Sequence, residues 1–543
     1  MREFMTGNLK ESLESFYAAK VWEDITLGKA LSAWSETYGD NIALTEADRQ
    51  VTYRELETAA RRMAAGWQRR GFGRGDKIVL QLPNSIEFVV SAFALFKLGV
   101  IPVMALPAQR KTEIKGIIEK SGAKGYVIKE KYLGFDYKSL AREIRREIET
   151  DLAVIVIGRS DEFIAYEDLG EGPELRDEPE IGSGEVGLFL LSGGTTGIPK
   201  LIPRRHADYL YVAQKTAERC RLDQESVYLA ALPVAHNFPL GCPGLLGTLS
   251  VGGRVVICAV ASPDEIIPLI EEEGVTITGL VPALAHMCIE FLELDGECDI
   301  SSLKVIQVGG AVLDSYLAAR IEKAFACTLQ QIFGIAEGLI CCTDLADREE
   351  IRYHTQGKPI SAYDEILIVD EKGQEVPEGE YGELTVRGPY TIYGYYNLEE
   401  VNQSCLSDQG YFKTGDKARW QDGNLQVAGR LKEMINRAGE KITPSELEEL
   451  LLRHEDIEDV QVVGVEDQEL GERICVFIMA QNKGLTLNAL RNYLVGQQVA
   501  SYKLPDQLVY LEAWPLTNVG KIDRNQLRVL GTQRGNQEVF HGR

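Results

Sequence analysis

The chain has 543 residues, 45% of them hydrophobic and 26% charged, a composition of soluble globular units that excludes collagen, coiled coil and wholesale disorder. At roughly 150 residues per domain, the length predicts three or four compact units with a large buried core. Lysine and arginine number 58 against 82 acidic residues, a net charge of −24. The surface as a whole therefore repels nucleic acid and anionic membranes, and a polyanionic ligand has to be held by a local device.

In chain order, the opening MREFMTGNLKESLESF lacks an apolar stretch and is not expected to be a secretion signal. Phe88–Pro107 carries a single charge, Lys97, and is long enough to span a bilayer. Gly99 and Pro102 divide it, however, into a helix-like FVVSAFALFKLG and a strand-like VIPVMAL, which predicts a buried helix feeding a buried strand. Further strands are predicted in KIVLQLPN, GYVIKE, DLAVIVIG, RVVICAV, TITGLVP and LKVIQVGG, with helices such as Pro263–Glu273 and Pro282–Leu294 between them. That alternation argues for largely parallel α/β sheets. Past Ile360 the texture changes to short strands and turns, EILIVDEKGQEVPEGEYGELTVRG, predicting a small antiparallel unit. A second change at Gly429–Ile435 opens a compact α+β unit that runs to the end, with the boundary expected near Leu431. The ten cysteines all lie from Cys220 onward without a CxxC pair, and the six histidines include no HxxxH pair. This pattern reads as reduced thiols in a cytoplasmic protein rather than a disulfide framework or a zinc site.

The sharpest local signal is LLSGGTTGIPK, Leu190–Lys200. A strand runs into Ser192, Gly193, Gly194, Thr195, Thr196 and Gly197 and ends at Lys200. Glycines there let backbone N–H groups converge on one point, and two threonines and a lysine add donors, which is equipment for a phosphate chain. The spacing is not that of a Walker A loop. A glycine cluster alone would read as a flexible strand–helix turn.

SGGTTGIPK resembles the phosphate loop of the adenylate-forming superfamily, which includes acyl- and aryl-CoA synthetases, luciferases and adenylation domains of peptide synthetases. FGIAEG (Phe333–Gly338), YFKTGD (Tyr411–Asp416), GRLKEMINRAGEKITPSELE (Gly429–Glu448) and PLTNVGKIDR (Pro515–Arg524) follow in the family's order. The resemblance implies a large N-terminal body, residues 1–431, of two α/β subdomains and a small β-barrel-like one. Residues 432–543 would form a mobile α+β lid. It further implies ATP and Mg²⁺ as cofactors.

Each matched residue then has an implied task. Glu337 would help hold Mg²⁺ on the ATP phosphates, as a hard cation requires, where a lone glutamate would otherwise read as a dipole partner at a helix start. Asp416 would accept hydrogen bonds from the ribose hydroxyls, with Arg430 nearby. Gly309, Gly310, Ala311, Phe333 and Gly334 fall where the family flanks adenine. Lys521, in NVGKIDR, is the expected catalytic residue: it would stabilise charge building on the α-phosphoryl group as a carboxylate attacks and pyrophosphate leaves. Lys432 lies at the family's hinge position. Gly439 and Lys441 belong to the lid face that would replace Lys521 when a thiol attacks the mixed anhydride.

PVAHNFPLGCPG (Pro233–Gly244), IPRRHADY and NRAGEKI resemble the aryl-acid-activating subgroup, which loads salicylate or 2,3-dihydroxybenzoate for siderophore synthesis. Asn237 would hydrogen-bond the 2-hydroxyl, with His236, Phe238, Cys242, Ile332 and Ile340 around the ring. Cys242 stands where dihydroxybenzoate enzymes carry serine and salicylate enzymes commonly cysteine; a thiol is a poor donor and suits a C–H better than a hydroxyl. Salicylate leads, with 2,3-dihydroxybenzoate as the alternative. Only nineteen residues follow Arg524, none of them serine, so the expected acceptor is the phosphopantetheine arm of a separate aryl carrier protein. Free coenzyme A is the competing acceptor, as in an aryl-CoA ligase. Neither nucleic acid nor membrane is an expected partner.

Overall fold

The computed structural model of the chain describes residues 14–149, 151–192, 198–294, 298–437, 440–467, 470–480, 484–497, 499, 501–517 and 520–533. Two large sheets dominate it. A seven-stranded sheet includes Lys77–Gln81, Ile101–Met104, Gly125–Lys129 and Val186–Leu191 as parallel neighbours, closed on one edge by antiparallel Leu201–Arg205. A nine-stranded sheet aligns Val227–Ala230, Ile277–Leu280, Val305–Gly309 and Thr328–Gly334 in parallel, with Ile340–Cys342 antiparallel beside the last. Their central strands are buried on both faces, which is why they read as continuous apolar runs rather than alternating ones.

The apolar stretch of the first third resolves into helix Ile86–Leu98 and strand Ile101–Met104. Ser85 caps the helix by accepting from the Phe88 N–H, and Gly99 ends it in the left-handed conformation at φ 67°. Lys97 is fully buried, its Nζ 2.9 Å from Glu57 and 3.0 Å from Glu178. A charge removed from water this completely has to be paired, and removing one partner would leave an uncompensated ion. Helices Pro263–Glu273 and Pro282–Leu294 lie where proline at the helix start, and for the first a glycine cap, predict them. Among the described residues no helix is long and apolar enough to cross a membrane.

Past these sheets, Glu365–Val369, Gly382–Arg387, Phe412–Gln421 and Asn424–Arg430 form the barrel-like unit as an open antiparallel meander. A last sheet, built from strands between Ile435 and Tyr510, has its own apolar core of residues such as Ile435, Leu447, Val462 and Leu490. The chain is thus an α/β body carrying a smaller C-terminal α+β unit. Hydrogen bonds tie that unit to the meander, among them Ser445 Oγ donating to the Ala428 carbonyl at 2.8 Å and Lys417 Nζ to Thr443 Oγ1 at 3.1 Å.

Candidate active site

The candidate residues gather beyond the carboxyl ends of the parallel strands of the nine-stranded sheet, the edge where open α/β sheets leave room for ligands. From Val227–Ala230 the chain runs to His236 and the short helix Asn237–Gly241; from Ile277–Leu280 to Val281; from Val305–Gly309 to Gly310 and Ala311. Gly309 lies opposite Ile332 in the sheet, and a Cβ at Gly309 would come within 2.3 Å of the Ile332 carbonyl oxygen. Only glycine permits that approach. Gly334 is less constrained, since a Cβ there would meet only the terminal methyl of Ile340, at 2.5 Å, which can shift.

At the acid end, Phe238, Cys242, Ile332 and Ile340 share one buried apolar cluster. His236 caps the short helix, its Nδ1 accepting from the Phe238 N–H at 3.3 Å, so the proton of the neutral ring sits on Nε2. Burial, with a smaller contribution from Lys521, pushes its pKa down to about 3. Asn237 is buried; its Oδ1 accepts from the Tyr209 hydroxyl at 3.1 Å and its Nδ2 faces Cys242 Sγ at 3.7 Å. Burial pushes the Cys242 thiol up to about 12, so it stays protonated and has no role as a nucleophile.

At the nucleotide end, Asp416 and Arg430 are directly opposed on neighbouring antiparallel strands, and Arg430 Nε lies 2.9 Å from Asp416 Oδ1. The motif spacing that joins them is therefore a cross-strand ion pair. Asp416 Oδ2 is buried and has no hydrogen-bond partner among the described residues, an acceptor ready for a hydroxyl donor, since leaving a buried charged oxygen unsatisfied is costly. Burial raises the Asp416 pKa to about 6 against the opposing pull of Arg430. Gly415, at φ 72°, supplies the backbone turn that presents it.

Glu337 and Lys200 meet through a residue that sequence reasoning missed. Tyr395 donates its hydroxyl to Glu337 Oε1 at 2.8 Å, and Lys200 Nζ sits 4.5 Å from the centre of the same ring. Neither flanking loop leads into a helix, as an isolated glycine cluster or a lone glutamate would by itself suggest. Strand Val186–Leu191 pairs antiparallel with Leu201–Arg205, so the phosphate-loop motif spans a β-hairpin, closed at its base where Lys200 N–H donates to Ser192 Oγ at 3.0 Å. Glu337 likewise sits in the turn of the hairpin joining Thr328–Gly334 to Ile340–Cys342, with no helix following it. Gly193, Gly194, Thr195, Thr196, Gly197 and Gly439 lie outside the described residues, and Lys441 is placed on strand Glu440–Ile442 by its backbone alone. Phe333 packs against the body core. Lys432 is exposed in the single turn Leu431–Glu433, three residues after Gly429 at φ 123°.

Lys521 arrives from the C-terminal unit. Its loop is closed by Thr517, whose backbone N–H donates to the Lys521 carbonyl at 2.6 Å and whose Oγ1 accepts from the Lys521 N–H at 3.2 Å. The side chain lies over Gly310, where a Cβ would stand 3.1 Å from Lys521 Cε. With His236, Phe238, Val281, Leu232 and Pro233 it encloses a cavity of about 10 Å³, close to the volume of one water. Loss of hydration, then the positive Arg430, lowers its pKa to about 8, with Asp416 and Glu433 opposing. Lys521 therefore lies between the residues expected around the acid and those expected around the nucleotide, packed over Gly310.

Tyr209 and Arg204 in IPRRHADY and Val281 in TITGLVP carry no role that the sequence alone assigns. Arg204 is fully buried, held by Asp208 at 3.0 Å and by the Ala336 carbonyl at 3.0 Å.

Comparison with known proteins accords with this arrangement. Residues 31–396 match the family model of the AMP-binding enzymes and residues 446–521 that of the AMP-binding enzyme C-terminal domain. The chain is similar to 2,3-dihydroxybenzoate-AMP ligase of Bacillus subtilis, 46% identical over 95% of this chain and 96% of the relative. It is similar to salicyl-AMP ligase / salicyl-S-ArCP synthetase of Mycobacterium tuberculosis, 42% identical over 96% and 94%. Among solved structures, apo MbtA of Mycobacterium smegmatis superposes with a TM-score of 0.75 at 41% identity, covering 96% of this chain and 97% of that one. The chain belongs to the AMP-binding, adenylate-forming enzymes.

Proposed function

We propose that the protein activates a 2-hydroxybenzoic acid, salicylate in first place, with ATP to the aryl-adenylate and pyrophosphate. It then passes the aryl group to the phosphopantetheine thiol of a separate carrier protein in siderophore synthesis. The observation that carries the reading is the buried Asn237 amide set beside an apolar cluster, with its Nδ2 facing Cys242 of that cluster. One neutral amide reads one hydroxyl and offers no charge to an α-ammonium group, which separates this pocket from one for amino acids.

In the first step a carboxylate oxygen of the acid attacks the α-phosphorus and the bond to the bridging oxygen of pyrophosphate breaks. Lys521, in a site without room for bulk water, donates to the phosphoryl oxygens where charge builds. Asp416 Oδ2 and Arg430 hold the ribose, and Ser192, Lys200 and the glycine-rich segment hold the phosphates. Magnesium, when bound, neutralises phosphate charge. Glu337 fits that ion: its carboxylate is fixed through one oxygen by Tyr395, and a Mg²⁺ held mostly by phosphate and water needs only one or two protein carboxylates. In the second step the thiolate attacks the carbonyl carbon of the anhydride and AMP leaves. Residues 432–543 act as the lid, turning about Lys432 so that the Gly439–Lys441 face replaces Lys521. The name of the mycobacterial relative, salicyl-S-ArCP synthetase, supports a carrier-bound thiol, with free coenzyme A as the alternative acceptor.

Acid-dependent ATP–pyrophosphate exchange tests the reading. Strong exchange with salicylate and little with benzoate is expected. Exchange confined to 2,3-dihydroxybenzoate would move the substrate within the class, and silence with every 2-hydroxybenzoate would overturn the assignment.

A further inference from the structure

Asn237 has two faces of opposite hydrogen-bonding character, and which one meets the ring decides what the pocket accepts. Tyr209, on helix His206–Arg219, is fully buried and donates to Asn237 Oδ1 at 3.1 Å. Asn237 is the partner of that hydroxyl among the described residues. Were the amide reversed, its NH₂ would donate to the tyrosine oxygen and the hydroxyl proton would be buried without an acceptor, a cost of the kind folded proteins avoid. The observed sense satisfies the hydroxyl and leaves Nδ2 on the side of Cys242, 3.7 Å from its sulfur.

The tyrosine itself has little freedom to give way. The Arg204 guanidinium stacks 4.8 Å from the ring centre and is anchored by Asp208 and the Ala336 carbonyl. On another side Gly241 leaves no spare space: a Cβ there would stand 3.1 Å from Tyr209 Oη. A hydroxyl clamped this way acts on Asn237 as a fixed donor.

We propose that Tyr209 is a positioning residue that sets the hydrogen-bond polarity of the acid pocket, so that the site selects an ortho substituent that accepts a hydrogen bond and rejects one that only donates. A phenolic oxygen keeps lone pairs for Nδ2. The nitrogen of an ortho-arylamine, its lone pair drawn into the ring, presents N–H groups to another N–H group. The inference rests on the aryl-acid reading above and adds the residue that gives it direction.

The test compares salicylate, 2,3-dihydroxybenzoate and anthranilate in pyrophosphate exchange by the wild-type enzyme, Tyr209→Phe and Asn237→Asp. Tyr209→Phe frees the amide to turn. Salicylate kcat/KM should fall about fivefold, the worth of one neutral hydrogen bond, while anthranilate rises and the KM for ATP stays unchanged. Asn237→Asp keeps the shape and replaces Nδ2 by an acceptor, so it should favour anthranilate without disturbing Tyr209. A merely structural loss would lower all acids together and move the KM for ATP, and that pattern in Tyr209→Phe would count against the proposal. If Tyr209→Phe unfolds, Asn237→Asp decides alone. A salicylate-to-anthranilate ratio unmoved in the folded variants overturns the polarity assignment and spares the aryl-acid reading; a wild-type enzyme silent with both 2-hydroxybenzoates overturns both.

Discussion

The two ends of the site solve opposite problems. The proposed nucleotide end presents charge: Asp416 and Arg430 oppose one another across two strands, and Glu337 and Lys200 share the Tyr395 ring. The proposed acid end is neutral, an apolar cluster that includes the Cys242 thiol, flanked by the Asn237 amide and an uncharged His236. Lys521 joins them and belongs structurally to neither, because it is delivered by the C-terminal unit. The contrast teaches where rate and where selectivity reside. Charges in a site without water change barriers by large factors, whereas a neutral hydrogen bond discriminates by only a few-fold.

The largest effect should come from the residue between the ends. Lys521→Ala is expected to slow adenylate formation by roughly 10²-fold or more with both KM values little changed, measured in single-turnover quench. Normal adenylation by that variant would place the catalytic charge elsewhere. Next, Asp416→Asn should raise the KM for ATP about tenfold, on the scale of a hydrogen bond to a charged acceptor, and leave the KM for the acid alone. A shift in the acid KM instead would erase the division between the ends.

Much of this was legible in the sequence, for a physical reason. Helices Pro263–Glu273 and Pro282–Leu294, and the split at Gly99, follow from proline and glycine signals that act locally. Asp416, Arg430, Glu337 and Lys521 lie in short motifs whose residue order carries the chemistry. Tyr395, Tyr209 and Arg204 were not legible because their partners are set by tertiary packing. They are separated from Glu337, Asn237 and Ala336 by 58, 28 and 132 positions respectively. The two hairpins were not specified for the same reason: a glycine-rich turn looks alike before a helix and before a returning strand, and only the pairing with Leu201–Arg205 or Ile340–Cys342 decides.

Smaller effects sharpen the acid end. Cys242→Ser should shift the ratio of kcat/KM for 2,3-dihydroxybenzoate over salicylate upward by under tenfold, since a hydroxyl adds one neutral hydrogen bond. No shift would make Cys242 simple packing.

The smallest effect at neutral pH comes from titration of the charged end. The ratio kcat/KM for ATP reports groups of the free enzyme. Burial raises Asp416 to about 6, so below that pH it is protonated and a ribose acceptor is lost. Burial lowers Lys521 to about 8, so above that pH the cation disappears. The profile should therefore rise through pH about 6 and fall through about 8, and the alkaline limb should vanish in Lys521→Ala. A limb that survives in the variant would belong to another group.

The central claim is that an aryl carboxylate oxygen bonds to the α-phosphorus of ATP, and one labelling measurement tests it directly. Salicylate carrying ¹⁸O in its carboxylate is turned over with ATP and a carrier thiol, and the phosphorus products are read by mass spectrometry. The account predicts AMP with one ¹⁸O and pyrophosphate with none, because the thioester retains one carboxylate oxygen and AMP leaves with the other. Label in inorganic phosphate with ADP as co-product would mean attack at the γ-phosphorus, and would contradict it.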